Sequence, residues 1–80
     1  MSNWEYCALS NDATNLYFFQ YQNTGMYSDS RQYNVNLWAA SIATLGSIGW
    51  EVANISHTPG EVTWYFKRTI QQDNKRFALP

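Results

Sequence analysis

One cysteine and one histidine in 80 residues leave little means of covalent or metal stabilisation. A disulfide within the chain needs two thiols, and a structural zinc site needs about four ligands, so neither can hold this fold together. Charge is also scarce. Five basic and six acidic residues give a net charge of -1 and a sequence pI near 5.6, which excludes electrostatic attraction to duplex nucleic acid or to an anionic membrane. Long apolar runs are missing too: residues 32–50 carry no charge but hold Gln32, Asn34, Asn36 and several Ser and Thr, so no membrane span is expected. The opening Met1-Ser2-Asn3-Trp4-Glu5 lacks the basic start and apolar run of a signal peptide. The expected compartment is the cytosol, with Cys7 a reduced thiol.

Rings are plentiful instead: 18% of the residues are aromatic, against 14% charged. A domain this short buries only about 60–65% of the surface its unfolded chain exposes, so so many rings cannot all enter one core. Self-association is expected to cover the remainder, as small domains without disulfides or metals often require. Four of the five basic residues fall late, as Lys67, Arg68, Lys75 and Arg76, with Asp73 among them, the pattern of a solvated tail.

The corner of the chain is Leu45-Gly46-Ser47-Ile48-Gly49-Trp50-Glu51-Val52. Leu45 and Ile48 close a helical stripe, Gly49 supplies the left-handed residue that stops it, and Trp50 opens a strand. Before the corner, Trp4–Ser10 alternates as a first strand, and after the polar break Asn11-Asp12-Ala13 the ring-rich Thr14–Tyr21 forms a second. Gln22 to about Tyr33 is polar and reads as a long connection, either a plain connector or a binding loop using Tyr27, Arg31 and Tyr33. From Asn34 to Ile48 the spacing is helical, with Val35, Leu37, Trp38, Ile42, Leu45 and Ile48 on the face that should lie on the sheet. The opposite face carries Asn36, Ala39, Ala40, Ala43, Thr44 and Ser47, small and uncharged, which suits either water or a partner's close approach. Gly46 costs about 1 kcal/mol relative to Ala within a helix, a cost that close helix-to-sheet approach would offset. Trp50–Ser56 is a third strand, Thr58-Pro59-Gly60-Glu61 a turn with Pro and Gly at its two centres, and Val62–Thr69 a fourth strand.

The expected fold is therefore α+β, a single small domain over residues 1–69 in the order β-β-α-β-β, followed by a polar tail over residues 70–80 in which Phe77 and Leu79 could dock weakly. Four antiparallel strands carry one helix on one face. The other face is expected to hold Glu5, Cys7, Tyr17, Phe19, Tyr21 and Tyr65, with Glu51 and Lys67 at its rim.

The motifs Trp4-Glu5-Tyr6, Leu45-Gly46-Ser47-Ile48-Gly49-Trp50-Glu51-Val52 and Tyr65-Phe66-Lys67-Arg68 together resemble the small bacterial and phage domains grouped as domain of unknown function family 4177. The resemblance touches both ends and the middle of residues 4–69. It implies a small α+β fold and no established activity.

Chemistry is sparse. Cys7 and His57 are the one nucleophile and base, nothing in their spacing brings them together, and no ligand set for a metal or glycine loop for a phosphate is present. No cofactor is expected, and Glu5 and Glu51 should pair with Lys67 or Arg68 or meet solvent. The leading expectation is a non-enzymatic homo-oligomer, at least a dimer, joined through Phe19 and Tyr65 on the sheet or Ala39 and Ala43 on the helix. The alternative is a phage or bacterial protein that binds or sequesters a small nucleotide messenger, with Tyr17, Tyr21, Tyr27, Arg31 and Arg68 as the residues to stack or pair with it.

Overall fold

A computed structural model describes residues 4–22, 25–69 and 79–80. Among the described residues, five strands and one helix follow in the order β1 (Trp4–Asn11), β2 (Asn15–Gln22), β3 (Gly25–Gln32), α1 (Val35–Ser47), β4 (Glu51–Thr58) and β5 (Glu61–Thr69). The α+β class and the single helix are as expected, but the antiparallel sheet has five strands, in the order β3-β2-β1-β5-β4. The extra strand is β3, drawn from the stretch read above as a connection. It pairs along its whole length with β2, from Asn15 with Gln32 to Gln22 with Gly25. Its polar alternation suits an edge, where few side chains need covering.

Local chemistry sets the register. At the β1–β2 turn, Asp12 Oδ1 accepts the N–H groups of Thr14 and Asn15 at 2.7 and 2.6 Å, an Asx turn that fixes which residues face each other. The β4–β5 turn is Pro59-Gly60, with Gly60 at φ 85°, as a type II turn requires at its second centre. Asn34 caps α1, its Oδ1 accepting from Asn36 N–H at 2.8 Å. At the other end Trp50 N–H bonds Leu45 C=O at 3.0 Å and Gly49 N–H bonds Gly46 C=O at 3.2 Å, with Gly49 at φ 95°. These paired bonds satisfy carbonyls the helix leaves open, and the left-handed glycine turns the chain into β4.

The core lies between α1 and the sheet, where Leu9, Leu16, Phe18 and Leu45 are wholly buried and Phe66 and Trp50 nearly so. Trp38 of the helix meets Trp64 of β5 edge to face, their centroids 5.6 Å apart. The tail expected over residues 70–80 falls, up to residue 78, outside the described residues, and Phe77 with it. Leu79 is described and does dock: it is buried in the core cluster, and its N–H donates to Asp29 Oδ2 at 3.3 Å.

Two expectations need correction. Glu5 and Cys7 stand opposite Arg68 and Phe66 on the helix side, which puts Trp4, Tyr6 and Ala8 on the outer face with Tyr17, Phe19 and Tyr65. A strand's face is defined only through its neighbours' register, and a one-residue slip exchanges the whole set. Gly46 is exposed, and a Cβ there would have nothing within 4 Å, so close approach to the sheet is not what places a glycine in α1.

Candidate functional site

The outer sheet face is the one turned away from α1, and it carries exposed rings from several strands. On the central strand β1 it begins with small side chains: Ala8 stands between Phe19 and Tyr65, and Ser10 between Tyr17 and Thr63. Both small residues are buried between these larger cross-strand neighbours, on the side of the sheet away from α1. Tyr17 and Phe19 lie side by side, centroids 6.3 Å apart and tilted by 18°. Ser10 Oγ is held by Thr63 Oγ1 at 2.9 Å and Glu61 Oε1 at 3.1 Å.

Around this floor the larger side chains stay in water: Tyr6 is 51% exposed, Tyr21 48%, Met26 55% and Tyr65 37%. Lys67, also on this face, places its Nζ 4.7 Å over the Trp4 ring, a cation–π contact that keeps the ammonium at the margin. Beside Tyr17 and Phe19 a shallow hollow of about 360 Å³ is completed by Ser28, Asp29 and Ser30. A second, more open cleft of about 600 Å³ lies at the turn end of the sheet, where Asp12, Tyr33, His57 and Glu61 meet.

The helix side is occupied by structure. Arg68 is 5% exposed; its Nε pairs with Glu5, its Nη1 donates to Ile48 C=O at 2.7 Å, and its guanidinium lies 4.4 Å from the Trp50 ring. Since α1 has no basic residue in its last turn, Arg68 supplies the positive charge that its C-terminus favours.

The five residues expected to bind a ligand therefore do not converge. Tyr17 and Tyr21 are on the outer face, Tyr27 and Arg31 alternate onto the helix side of β3, and Arg68 is buried and fully engaged. Arg31 reaches Asp29, Nε to Oδ1 at 3.7 Å. The expected interface residues also divide: Phe19 and Tyr65 belong to the outer face, Ala39 and Ala43 to the exposed back of the helix on the opposite side of the molecule. Trp4, Tyr6 and Met26, not singled out from the sequence, join the outer face. The period-two alternation of Trp4, Tyr6 and Ala8 was the available signal, and it lacked only the register.

Cys7 is 1% exposed at mid-sheet, and burial pushes its thiol up to about 12. It stands opposite Phe66 and His57 opposite Val62, so about 13 Å of β5 separates the two positions. Among the described residues no three His, Cys, Asp or Glu side chains gather as a metal site, and no helix is long and apolar enough to cross a membrane. Compared with known proteins, the chain matches no family model, no curated protein and no solved structure.

Proposed function

We propose that this chain is a non-enzymatic interaction domain that associates with copies of itself through its outer sheet face. The observation that carries the reading is the row of large side chains left in water on that face, Tyr6, Tyr21, Met26 and Tyr65, each more than a third exposed. Contiguous apolar surface of this kind marks contacts, and Tyr, Trp and Met are the side chains enriched in them. In the same reading the molecule is a cytosolic protein of the small phage and bacterial type that the Leu45–Val52 corner resembles. Paired substitution of Tyr21→Lys and Tyr65→Lys places two like charges in the contact. It should abolish association through this face and lower the mass read by light scattering, with circular dichroism unchanged; an unaltered mass would rule out this face.

A second reading is supported by the hollow at Tyr17 and Phe19, whose two similarly tilted rings adjoin the hydroxyls of Ser28 and Ser30. Such a floor suits stacking of one base or nucleotide. Thermal-shift screening with nucleotides separates the two readings, because a shift that is lost in Tyr17→Ser favours the ligand and none at millimolar ligand removes it.

A further inference from the structure

The two edges of the sheet are finished differently. On the helix side of β3, Asp29 and Arg31 face each other and Leu79 is buried with its N–H on Asp29. The other edge is β4: after its first residue, Glu51, it holds no Asp, Glu, Lys or Arg from Val52 to Thr58, and its helix-side residues Val52 and Ile55 are 45% and 48% exposed. Soluble proteins rarely leave an uncharged edge open unless another strand pairs with it.

The turn tells which backbone groups are free. Pro59-Gly60 is a two-residue loop, so Thr58 and Glu61 are the hydrogen-bonded pair that closes it. Alternation then makes His57–Val62 and Ile55–Trp64 non-hydrogen-bonded pairs, whose β4 members turn N–H and C=O outward. Ile55 N–H, turned away from β5 in this alternation, is held by Asn54 Oδ1 of its own strand at 2.9 Å, a bond that pairing with another strand would replace. A register shift between Val52 and Asn54 distorts the start of the strand, which leaves Asn54–Thr58 as the regular part.

We propose that β4 pairs antiparallel with β4 of a second copy about a two-fold axis at Ser56, joining two five-stranded sheets into one. That centre sets Ile55 opposite His57 of the partner subunit and Asn54 opposite Thr58 of the partner subunit, each pair on one face. Ile55 and His57, the residues whose backbone groups face outward, form the hydrogen-bonded pairs, twice by symmetry, and Ile55 N–H exchanges Asn54 Oδ1 for the partner strand. Neighbouring centres fail: an axis at Ile55 sets His57 against the distorted Ala53, and one at His57 sets Ile55 against Pro59, which has no N–H. A second copy fits better than a foreign strand because this register is self-complementary and brings no charge against a like charge. The inference rests on the self-association proposed above and assigns it a further surface.

Cysteine crosslinking tests the register. Ser56 and its symmetry mate form a non-hydrogen-bonded pair with Cα atoms about 4.5 Å apart, within disulfide range, whereas two Thr58 residues lie about 13 Å apart along the strands. Under mild oxidation, Ser56→Cys should form a disulfide-linked dimer more than about tenfold faster than Thr58→Cys, and Ile55→Lys should weaken association about tenfold or more. An oligomer by light scattering that crosslinks no faster at Ser56 leaves the edge to water or a foreign strand and overturns the inference alone. A monomer overturns the self-association reading as well.

Discussion

Glu5 of β1 and Arg68 of β5 are direct cross-strand partners, and their ion pair lies beneath the C-terminus of α1, where Arg68 also binds Ile48 C=O. One guanidinium thus ties the central strand β1 and its neighbour β5 to the helix end. With Arg68 5% exposed and Glu5 12%, removal of either partner strands a charge away from water, which costs about 3–5 kcal/mol. Stability of small domains is about 5–15 kcal/mol in total. Glu5→Ala should therefore lower the urea midpoint strongly with little change in slope, and a loss below about 1 kcal/mol would show the pair to be solvated.

The helix carries two removable weaknesses. Ser41 Oγ is buried without a partner among the described residues, and Gly46 is exposed with room for a methyl group. Gly46→Ala should stabilise by about 0.5–1 kcal/mol, and Ser41→Ala by about 1 kcal/mol, since it removes an unpaired buried hydroxyl. Denaturant titration reads both. An oligomer that dissociates on Gly46→Ala would instead place the helix back, with Ala39 and Ala43, in the contact.

Much of this fold is legible in the sequence because its punctuation is chemical. Asn34, Gly49, Asp12 and Pro59-Gly60 mark their cap, stop and turns by residue type alone, and the core stripe of Leu37, Trp38, Ile42 and Leu45 follows helical spacing. β3 is not legible in the same way. Met26, Ser28 and Ser30 alternate with Tyr27, Asp29 and Arg31, but no β-branched residue occurs among them and β propensity reads mainly half-buried packing. Its better signal is length, because 12 residues from Gln22 to Tyr33 exceed an ordinary connection. The faces of β1 are equally hidden: Cys7, Ala8, Leu9 and Ser10 are all buried, so hydrophobicity does not say which side meets the helix. The same ambiguity concealed Trp4 and Tyr6 as members of the outer face. Nor could spacing show that Arg68 is occupied by Glu5 and the helix end.

Cys7 supplies a test of burial. Its thiol, pushed up to about 12 from 9.0 by burial, should resist alkylation in the native protein at pH 8 and react on unfolding. A group whose pKa is raised on folding contributes stability that is full below the unfolded value and lost as pH climbs toward the folded one. The contribution of Cys7 should thus decline from about pH 9 to about pH 12, and Cys7→Ala should flatten that limb. Rapid native alkylation would contradict the buried position.

Asp12 acts in the opposite direction. Backbone N–H groups of Thr14 and Asn15 hold its carboxyl below the ordinary value of 3.8, so its contribution is present above that pH and is lost as pH falls through the lower folded value. Asp12→Asn can still accept at the turn but does not titrate, so acid unfolding below pH 3.8 should become less steep. An unchanged acid limb would show that the turn does not depend on the charge.

The proposed function requires that copies of this chain associate. Sedimentation equilibrium of the unmodified protein over a hundredfold concentration range tests it most directly. The expected mass is at least 18.6 kDa, twice the 9.3 kDa chain, with dissociation only on dilution. A single species of 9.3 kDa at the highest concentration would contradict it.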